Sequence, residues 1–322
     1  MTKTNVVRQY RDKYPDYPNK KLARIIYAKE GPLFTSEEGV RSIIRKIEGN
    51  SGKGCRTKAT HKREARVYNP YNLPKSDEST FEPVILNHKR ILGLFDIHAP
   101  YHSISAITAA LDYAKNEKPD AVVLGGDFFD FHGLSKYMTD PRKKNFAGEI
   151  QTGCDLLNVI KKVTGAKVYY KYGNHCERYQ HYLWMKAGEL NGVEDFELNT
   201  IISKRVPEIT FIDQKRIMKA GDLNIVHGHE FASSIISPVN IARGLYLRSK
   251  ASSICGHHHR SSEHTEQDIN GKIVTTWSVG CLSELHPQYM PINSWNHGFC
   301  MIDVSGKDFE VRNKRIWKGK VL

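Results

Sequence analysis

Apolar residues recur at helical spacing through the first fifty positions. After residue 83 they gather instead into short runs separated by amphipathic stretches. Leu22, Ile25 and Ile26 share one face of a predicted helix over 20–29, which Gly31 and Pro32 end. A weaker helix is predicted over 6–13, stopped by Pro15 and Pro18. Thr35, Ser36, Glu37 and Glu38 read as a capping box opening a third helix with Val40, Ile43, Ile44 and Ile47 on its inner face. Gly49 and the stretch Ser51-Gly52-Lys53-Gly54 close it. Residues 56–66 are then dense in Lys, Arg and His, and 69–77, with two prolines, read as a linker.

Beyond that point the pattern alternates between strand and helix. Strands are predicted over 90–95, 121–124, 167–172, 223–226 and 252–255, with helices over 103–116, 149–163 and 177–188. The last sixty residues read as strands alone, at 263–269, 272–279, 298–304 and 309–317, with Asn270-Gly271 as a hairpin turn. The expected fold is α/β: two packed mixed β-sheets flanked by helices, preceded by a small basic all-α N-terminal domain. The division is 1–75 helical module, 76–88 linker and 89–322 for the α/β domain. Tyr169, Tyr170 and Tyr172 on one strand read as packing, and Trp277 and Trp295 as core or surface.

Composition adds one discriminating fact. The 322 residues, 39% of them hydrophobic, are ordinary for a globular protein, and no apolar run reaches the length of a membrane span. The first ten residues lack the apolar stretch of a secretory signal, so a cytoplasmic location is expected. The six cysteines have no paired spacing and read as small hydrophobes. The net charge of +13, however, is not spread evenly. Residues 1–75 hold 18 Lys and Arg against 7 Asp and Glu, whereas 76–322 hold 30 against 28. Nearly all the excess is in the N-terminal quarter, where Lys20, Lys21, Arg24, Arg41, Arg45 and Lys46 are the candidate contacts to a nucleic-acid backbone. A helix-turn-helix-like arrangement of 20–29 and 37–48 would present them.

Five polar clusters follow predicted strands: Asp96-Ile97-His98, Gly126-Asp127-Phe128-Phe129-Asp130, Gly173-Asn174-His175, His227-Gly228-His229 and Gly256-His257-His258-His259. Loops at strand ends converge while the sheet holds them rigid, so ligand groups collect there. Aspartate, histidine and an asparagine oxygen suit Mn, Fe, Zn or Ni rather than a thiolate-bound ion. A central carboxylate such as Asp127 can serve two ions, one through each oxygen. Two ions about 3.5–4 Å apart can activate a water and clamp a phosphate.

In this order the clusters resemble the motifs of the calcineurin-like metallophosphoesterases. That family includes serine/threonine protein phosphatases, purple acid phosphatases, cyclic-nucleotide phosphodiesterases and SbcD-type nucleases. The resemblance runs from about Lys89 to Val304 and leaves the basic N-terminus unexplained. It implies one metal held by Asp96, His98, Asp127 and His259 and a second held by Asp127, Asn174, His227 and His257, with manganese the expected ion. It further implies His175 as general acid, oriented by Asp130, and attack on phosphorus by a hydroxide bridging the two ions. Cys176 stands where many relatives carry an acid. Arg178, His229 and His258 are candidate substrate contacts.

The function expected from these features is hydrolysis of phosphodiester bonds in DNA or RNA. The alternative is a phosphomonoesterase, or a small-nucleotide phosphodiesterase, whose basic module serves another purpose. A non-enzymatic nucleic-acid binder is disfavoured by the complete ligand set. No membrane partner is expected, and the oligomeric state, a homodimer included, is left open. The loops 128–145 and 230–247 are candidate covers for the site.

Overall fold

The computed structural model describes residues 2–15, 17–61, 70–71, 73–74, 82–136, 140, 142, 144–212, 215–231 and 239–322. The chain forms two compact units, Met1–Glu78 and Ser79–Leu322.

The first unit holds α1 (Lys3–Lys13), α2 (Asn19–Glu30), α3 (Glu37–Ile47) and the short α4 (Lys53–Arg56). Val7, Leu22, Ile26, Val40 and Ile44 form its core, on the faces predicted from their spacing. The capping box is only half made. Ser36, not Thr35, is the N-cap, and its hydroxyl accepts from the Gly39 amide at 3.1 Å. With Ser36 at that position the reciprocal site falls on Gly39, which has no side chain to reach back. Arg11 and Glu48, both buried, pair at 2.9 Å and tie α1 to the end of α3. Part of the basic stretch 56–66, residues 62–66, lies outside the described residues, as do 76–81 of the stretch read as linker.

The second unit begins with strand β1 (Val84–Ile85), inside the stretch read as linker. Two residues beside Pro83 carry no strand signal alone; β1 is held by parallel pairing with a partner far along the chain. There follow β2 (Arg90–Leu94), α5 (Ile104–Glu117), β3 (Ala121–Leu124), α6 (Phe146–Thr164), β4 (Lys167–Lys171), α7 (Asn174–Lys186), α8 (Leu198–Ser203) and β5 (Ile209–Ile212). The hairpin β6 (Met218–Ala220) and β7 (Leu223–Ile225), α9 (Ile241–Ser249) and β8 (Ser253–Cys255) come next. The tail is β9 (Ser262–Gln267), β10 (Ile273–Ser278), β11 (His297–Ser305), β12 (Asp308–Trp317) and β13 (Lys320–Val321).

These strands make two mixed sheets, ordered β13-β12-β11-β2-β3-β4-β5 and β1-β6-β7-β8-β10-β9. Alternation along the central strands of the first sheet explains the layering. Leu92, Leu94, Val122, Leu124, Val168 and Tyr170 face a core shared with α5, α6 and α7. Their neighbours Ile91, Val123 and Tyr169 face the second sheet, in a core with Leu223, Ile225, Ile254 and Trp277. Both faces are buried, which is why these strands read as unbroken apolar runs. Among the described residues no helix is long and apolar enough to cross a membrane. The loop 230–247 is in part helical, since α9 begins at Ile241, while 232–238 lie outside the described residues.

Candidate metal centre

The loops after β2, β3, β4, β7 and β8 bring all five polar clusters together. Five ligand candidates, Asp96, His98, Asp127, His257 and His259, sit at positive φ between 49° and 68°. Side chains in that region cost about 1–3 kcal/mol each and persist where the surroundings enforce them. Two glycines make the approach possible. A Cβ on Gly126, itself at φ +113°, would lie 2.2 Å from His227 Nδ1. One on Gly173 would lie 2.2 Å from Asp127 Oδ1.

Around one position, His98 Nε2 lies 3.1 Å from His259 Nε2, and Asp96 Oδ1 lies 3.5 Å from His259 Nε2 and 4.0 Å from His98 Nε2. Around a second, His227 Nε2 is 3.1 Å from Asn174 Oδ1 and 3.2 Å from Asp127 Oδ2. His257 belongs to the same group as Asp127 and His227, and Asp127 is also grouped with His98. Ligands at about 2.1 Å from a common ion stand about 3.0–3.4 Å from each other, close to most of these separations. Asp96 Oδ1 is buried and accepts no hydrogen bond, which is costly for a carboxylate unless a cation takes that place. The residues therefore fit two divalent ions, with Asp127 between them.

The surroundings aim these ligands. His98 Nδ1 donates to Asp130 Oδ1 at 2.9 Å and His227 Nδ1 donates to the Gly125 carbonyl at 3.1 Å, which leaves each Nε2 lone pair directed inward. Asp96 Oδ2 accepts from the His257 amide at 2.8 Å, and Asp127 Oδ1 accepts from the His175 amide at 2.9 Å. The charges of these residues balance one another. Burial alone would raise the Asp96 carboxyl, but His259 and His227 outweigh it and bring it to about 2. Burial disfavours charge on His227 and His259 as well, yet Asp127 raises the first to about 9 and Asp96 the second to about 10. His257 goes the other way, to about 3, through burial and its neighbour His227.

Asp130 does more than the sequence suggested. It holds the metal-side ring of His98 as well as His175, whose Nδ1 lies 2.7 Å from the Asp130 carbonyl and 3.1 Å from Oδ1. Despite burial, these two histidines keep its carboxyl well below the usual range. Arg178 places Nη2 2.8 Å from His175 Nε2 and Nη1 2.9 Å from the Asp130 carbonyl. A guanidinium only donates, so Nε2 of His175 is here an acceptor and Nδ1 carries the proton.

Other candidates fall differently. His229 is engaged with Glu177 at 3.0 Å, so the acid absent at Cys176 is supplied one residue on, for a different histidine. His258 stacks edge-on against His257 at 4.8 Å, and its buried Nε2 has no hydrogen-bond partner. Lys20, Lys21, Arg24 and Lys46 are exposed on α2 and α3, whereas Arg41 and Arg45 both pair with Glu38 on their own helix.

Sequence reasoning missed a buried clamp. Glu230 accepts from the His227 amide at 2.9 Å and the Gly228 amide at 2.6 Å, and pairs with Lys171 Nζ at 2.8 Å. The available signal was a lysine alternating with tyrosines in a strand that is otherwise inward-facing.

Two sheets under helices, with paired ion positions built from Asp, His and Asn at the strand ends, define a metal-dependent phosphoesterase. A family model for calcineurin-like phosphoesterases matches residues 89–269, more than half of the chain, and the chain belongs to that family. The gene 54 protein of Mycobacterium phage L5 is 25% identical over 232 residues, which is 68% of this chain and 90% of that protein. Among solved structures, the E. coli phosphoesterase Yfce aligns at 16% identity and TM-score 0.36, covering 66% of this chain and 88% of its own. Vacuolar protein sorting 29 from Cryptosporidium parvum aligns at 13% and TM-score 0.40, covering 73% and 95%.

Proposed function

We propose that the chain is a phosphodiesterase acting on DNA or RNA, using two divalent ions, manganese in the first instance. The observation that carries the choice of substrate is the concentration of charge: a helical module with +11 over residues 1–75 accompanies a nearly neutral catalytic unit. Such a protein would work in the cytoplasm, where nucleic acid and reduced cysteines coexist; all six cysteines are free.

Asp96, His98, Asp127 and His259 would hold one ion, and Asp127, Asn174, His227 and His257 the other. When bound, the pair supplies Lewis acidity toward a phosphoryl oxygen and lowers the pKa of a water. The remaining chemistry belongs to the chain itself. His175 passes a proton from Nε2 to the leaving oxygen, with Asp130 accepting from Nδ1 and so fixing the ring. For that to happen Arg178 must leave Nε2, drawn away by a substrate phosphate, and the freed Nε2 must take up a proton from water before it gives one to the leaving oxygen.

The module's part is tested by replacing Lys20, Lys21, Arg24 and Lys46 with Gln together. Affinity for a polynucleotide should fall, and its salt slope should shrink by about 1 for each phosphate no longer neutralised. Turnover of bis(p-nitrophenyl) phosphate should stay the same. If the slope does not change, the basic module does not deliver nucleic acid. If p-nitrophenyl phosphate is cleaved and the diester is not, the small-monoester reading takes over.

A further inference from the structure

Beside His98 and His259 opens a chamber of about 530 Å³, within the range of about 300–1,000 Å³ common for small-molecule sites. Tyr101, Tyr289 and Trp295 contribute aromatic rings to its wall, and Ser283, Glu284 and Gln288 contribute polar groups. We propose that this chamber is a nucleobase subsite, in which the rings of Trp295 and Tyr289, set at 63° to each other, meet the face and the edge of the base of the nucleotide whose phosphate lies at the metal centre. The inference rests on the reading of the enzyme as a nucleic-acid phosphodiesterase and names the part of the chain that would recognise its substrate.

Three observations support it. First, the chamber is continuous with the reacting centre, since His98, Asp130 and His259 line it too. A phosphate held at the ions therefore projects one ester arm into it. Second, the wall is built rather than incidental. The Trp295 amide donates to Asn293 Oδ1 at 2.9 Å, and the Asn293 side chain donates to the carbonyls of Leu285 and Met290. Asn296 joins this loop to the ligand loop, its amide donating to the His259 carbonyl at 2.9 Å and its Oδ1 accepting from the Ser261 amide at 2.8 Å. The Trp295 ring stands 4.1 Å from the His259 ring, so it is fixed relative to the metal position. Third, Tyr289 is 62% exposed, a large ring left to solvent at 6.4 Å from Trp295, where a flat ligand could cover it.

The loop carrying Tyr289 and Trp295 lies beyond residues 89–269, the part matched by the family model. A second chamber of about 600 Å³ lies on the Asn174 side and is lined by Glu177, Arg178, His181 and Trp184, among others. Two chambers reaching different ion positions suit a diester, which has two arms.

The test compares adenosine 5′-monophosphate with ribose 5-phosphate, which differ by the base alone, as ligands of the full manganese-loaded chain in calorimetry. Stacking on aromatic side chains predicts that the nucleotide binds about 10–100-fold more tightly. Trp295→Ala and Tyr289→Ala should each bring that ratio toward one, and Trp295→Phe should keep most of it. Tyr289, being exposed, provides a variant whose folding is not in question. A ratio of one in the wild-type chain, or a ratio that neither alanine variant changes, overturns the proposal. A purely structural Trp295 would weaken both ligands alike and leave the ratio intact, which counts against it. Cleavage of methyl p-nitrophenyl phosphate is measured alongside: its absence removes the diesterase reading, while the binding ratio still decides the chamber.

Discussion

Replacing Lys171 with Met removes the cation from a buried pair and leaves its partner in place. Lys171 has a fully buried side chain and that of Glu230 is 8% exposed, so neither charge has water to fall back on. Burial would raise the Glu230 carboxyl, but Lys171, with His229 and His227 behind it, brings it to about 2. Breaking such a pair from one side costs about 3–5 kcal/mol, because the remaining charge stays buried and unpaired. Glu230 keeps its two amide donors, which places the expected loss at the lower end, about 3 kcal/mol. Urea unfolding followed by tryptophan fluorescence measures it in the full chain, since Trp184, Trp277, Trp295 and Trp317 all lie in the second unit. The clamp also fixes the backbone of His227, so manganese affinity should drop by about 10–100-fold, as for other groups that orient metal ligands. Adding Glu230→Gln to Lys171→Met removes the stranded charge and should recover part of the loss, giving a coupling of about 1–3 kcal/mol in the cycle. Additive effects, or a loss under about 1 kcal/mol for Lys171→Met, would refute the reasoning.

Glu149 accepts a hydrogen bond from the Phe131 amide and is raised to about 7, chiefly by burial and secondarily by Asp130 nearby. Its folded pKa lies above the unfolded value of 4.5, so stability falls as pH rises from about 4.5 to 7; Glu149→Gln should be more stable than wild type at pH 8 by about 3 kcal/mol and no more stable at pH 4, as urea curves at the two pH values would show. Arg178→Ala should lower kcat/KM for a diester by about 100-fold, through loss of a charged hydrogen-bond donor beside His175; an unchanged value in steady-state assays would remove Arg178 from the site. Chelation should abolish hydrolysis and lower the Tm of the second unit, because ions bound only by the folded state stabilise it by mass action; manganese titrated back should restore both, and calorimetric stoichiometry should fall from two to one in Asn174→Ala. A chelated chain with unchanged Tm would mean that the Asp96 and Asp127 positions hold no ion.

How much of the fold and site is legible in the sequence depends on where each signal resides. The apolar runs of β2, β3 and β4 and the Asn270-Gly271 turn are local, and each appears where the pattern puts it. The five polar clusters are legible because each follows a strand whose end is itself locally encoded. What escapes is encoded in space. Helix α7 starts at Asn174, three residues before its predicted start, because the first-turn amide of His175 is satisfied by Asp127 from another loop rather than by a capping residue in its own sequence. Helix α9 falls in a stretch that reads as loop, although its Asn240 cap accepts from the Arg243 amide at 3.0 Å; the small, mixed composition of 241–249 gives only a faint apolar stripe. Lys171 is visible as an inward-facing charge, but its partner, fifty-nine positions on, is not.

The placement of ligands at positive φ carries a cost that the loops must meet. Glycine would adopt that backbone freely, yet at Asp96, His98, Asp127, His257 and His259 the side chain is a candidate metal ligand, so the strain must be borne by the surroundings. The loops supply this by continuing the sheet's hydrogen bonding past the strand ends. Asp96 donates its amide to the Gly126 carbonyl at 3.2 Å, His98 to the Asp127 carbonyl at 2.9 Å, and Ala99 to the Phe128 carbonyl at 2.8 Å. The loops after β2 and β3 thus zip together along the line where their ligands emerge. Gly256 donates to the His227 carbonyl at 3.0 Å, joining the loops after β7 and β8 in the same way. Leu282 donates to the Asp96 carbonyl and Asn296 to that of His259, bringing in the tail of the chain. Asp96, His98, Asp127 and His259 are thus each tied by a backbone bond to a different segment, and His257 by its amide to Asp96 Oδ2, so the candidate ligands are held at their spacing by the chain itself. A site preorganised in this manner spends little of the ions' binding energy on ordering the chain.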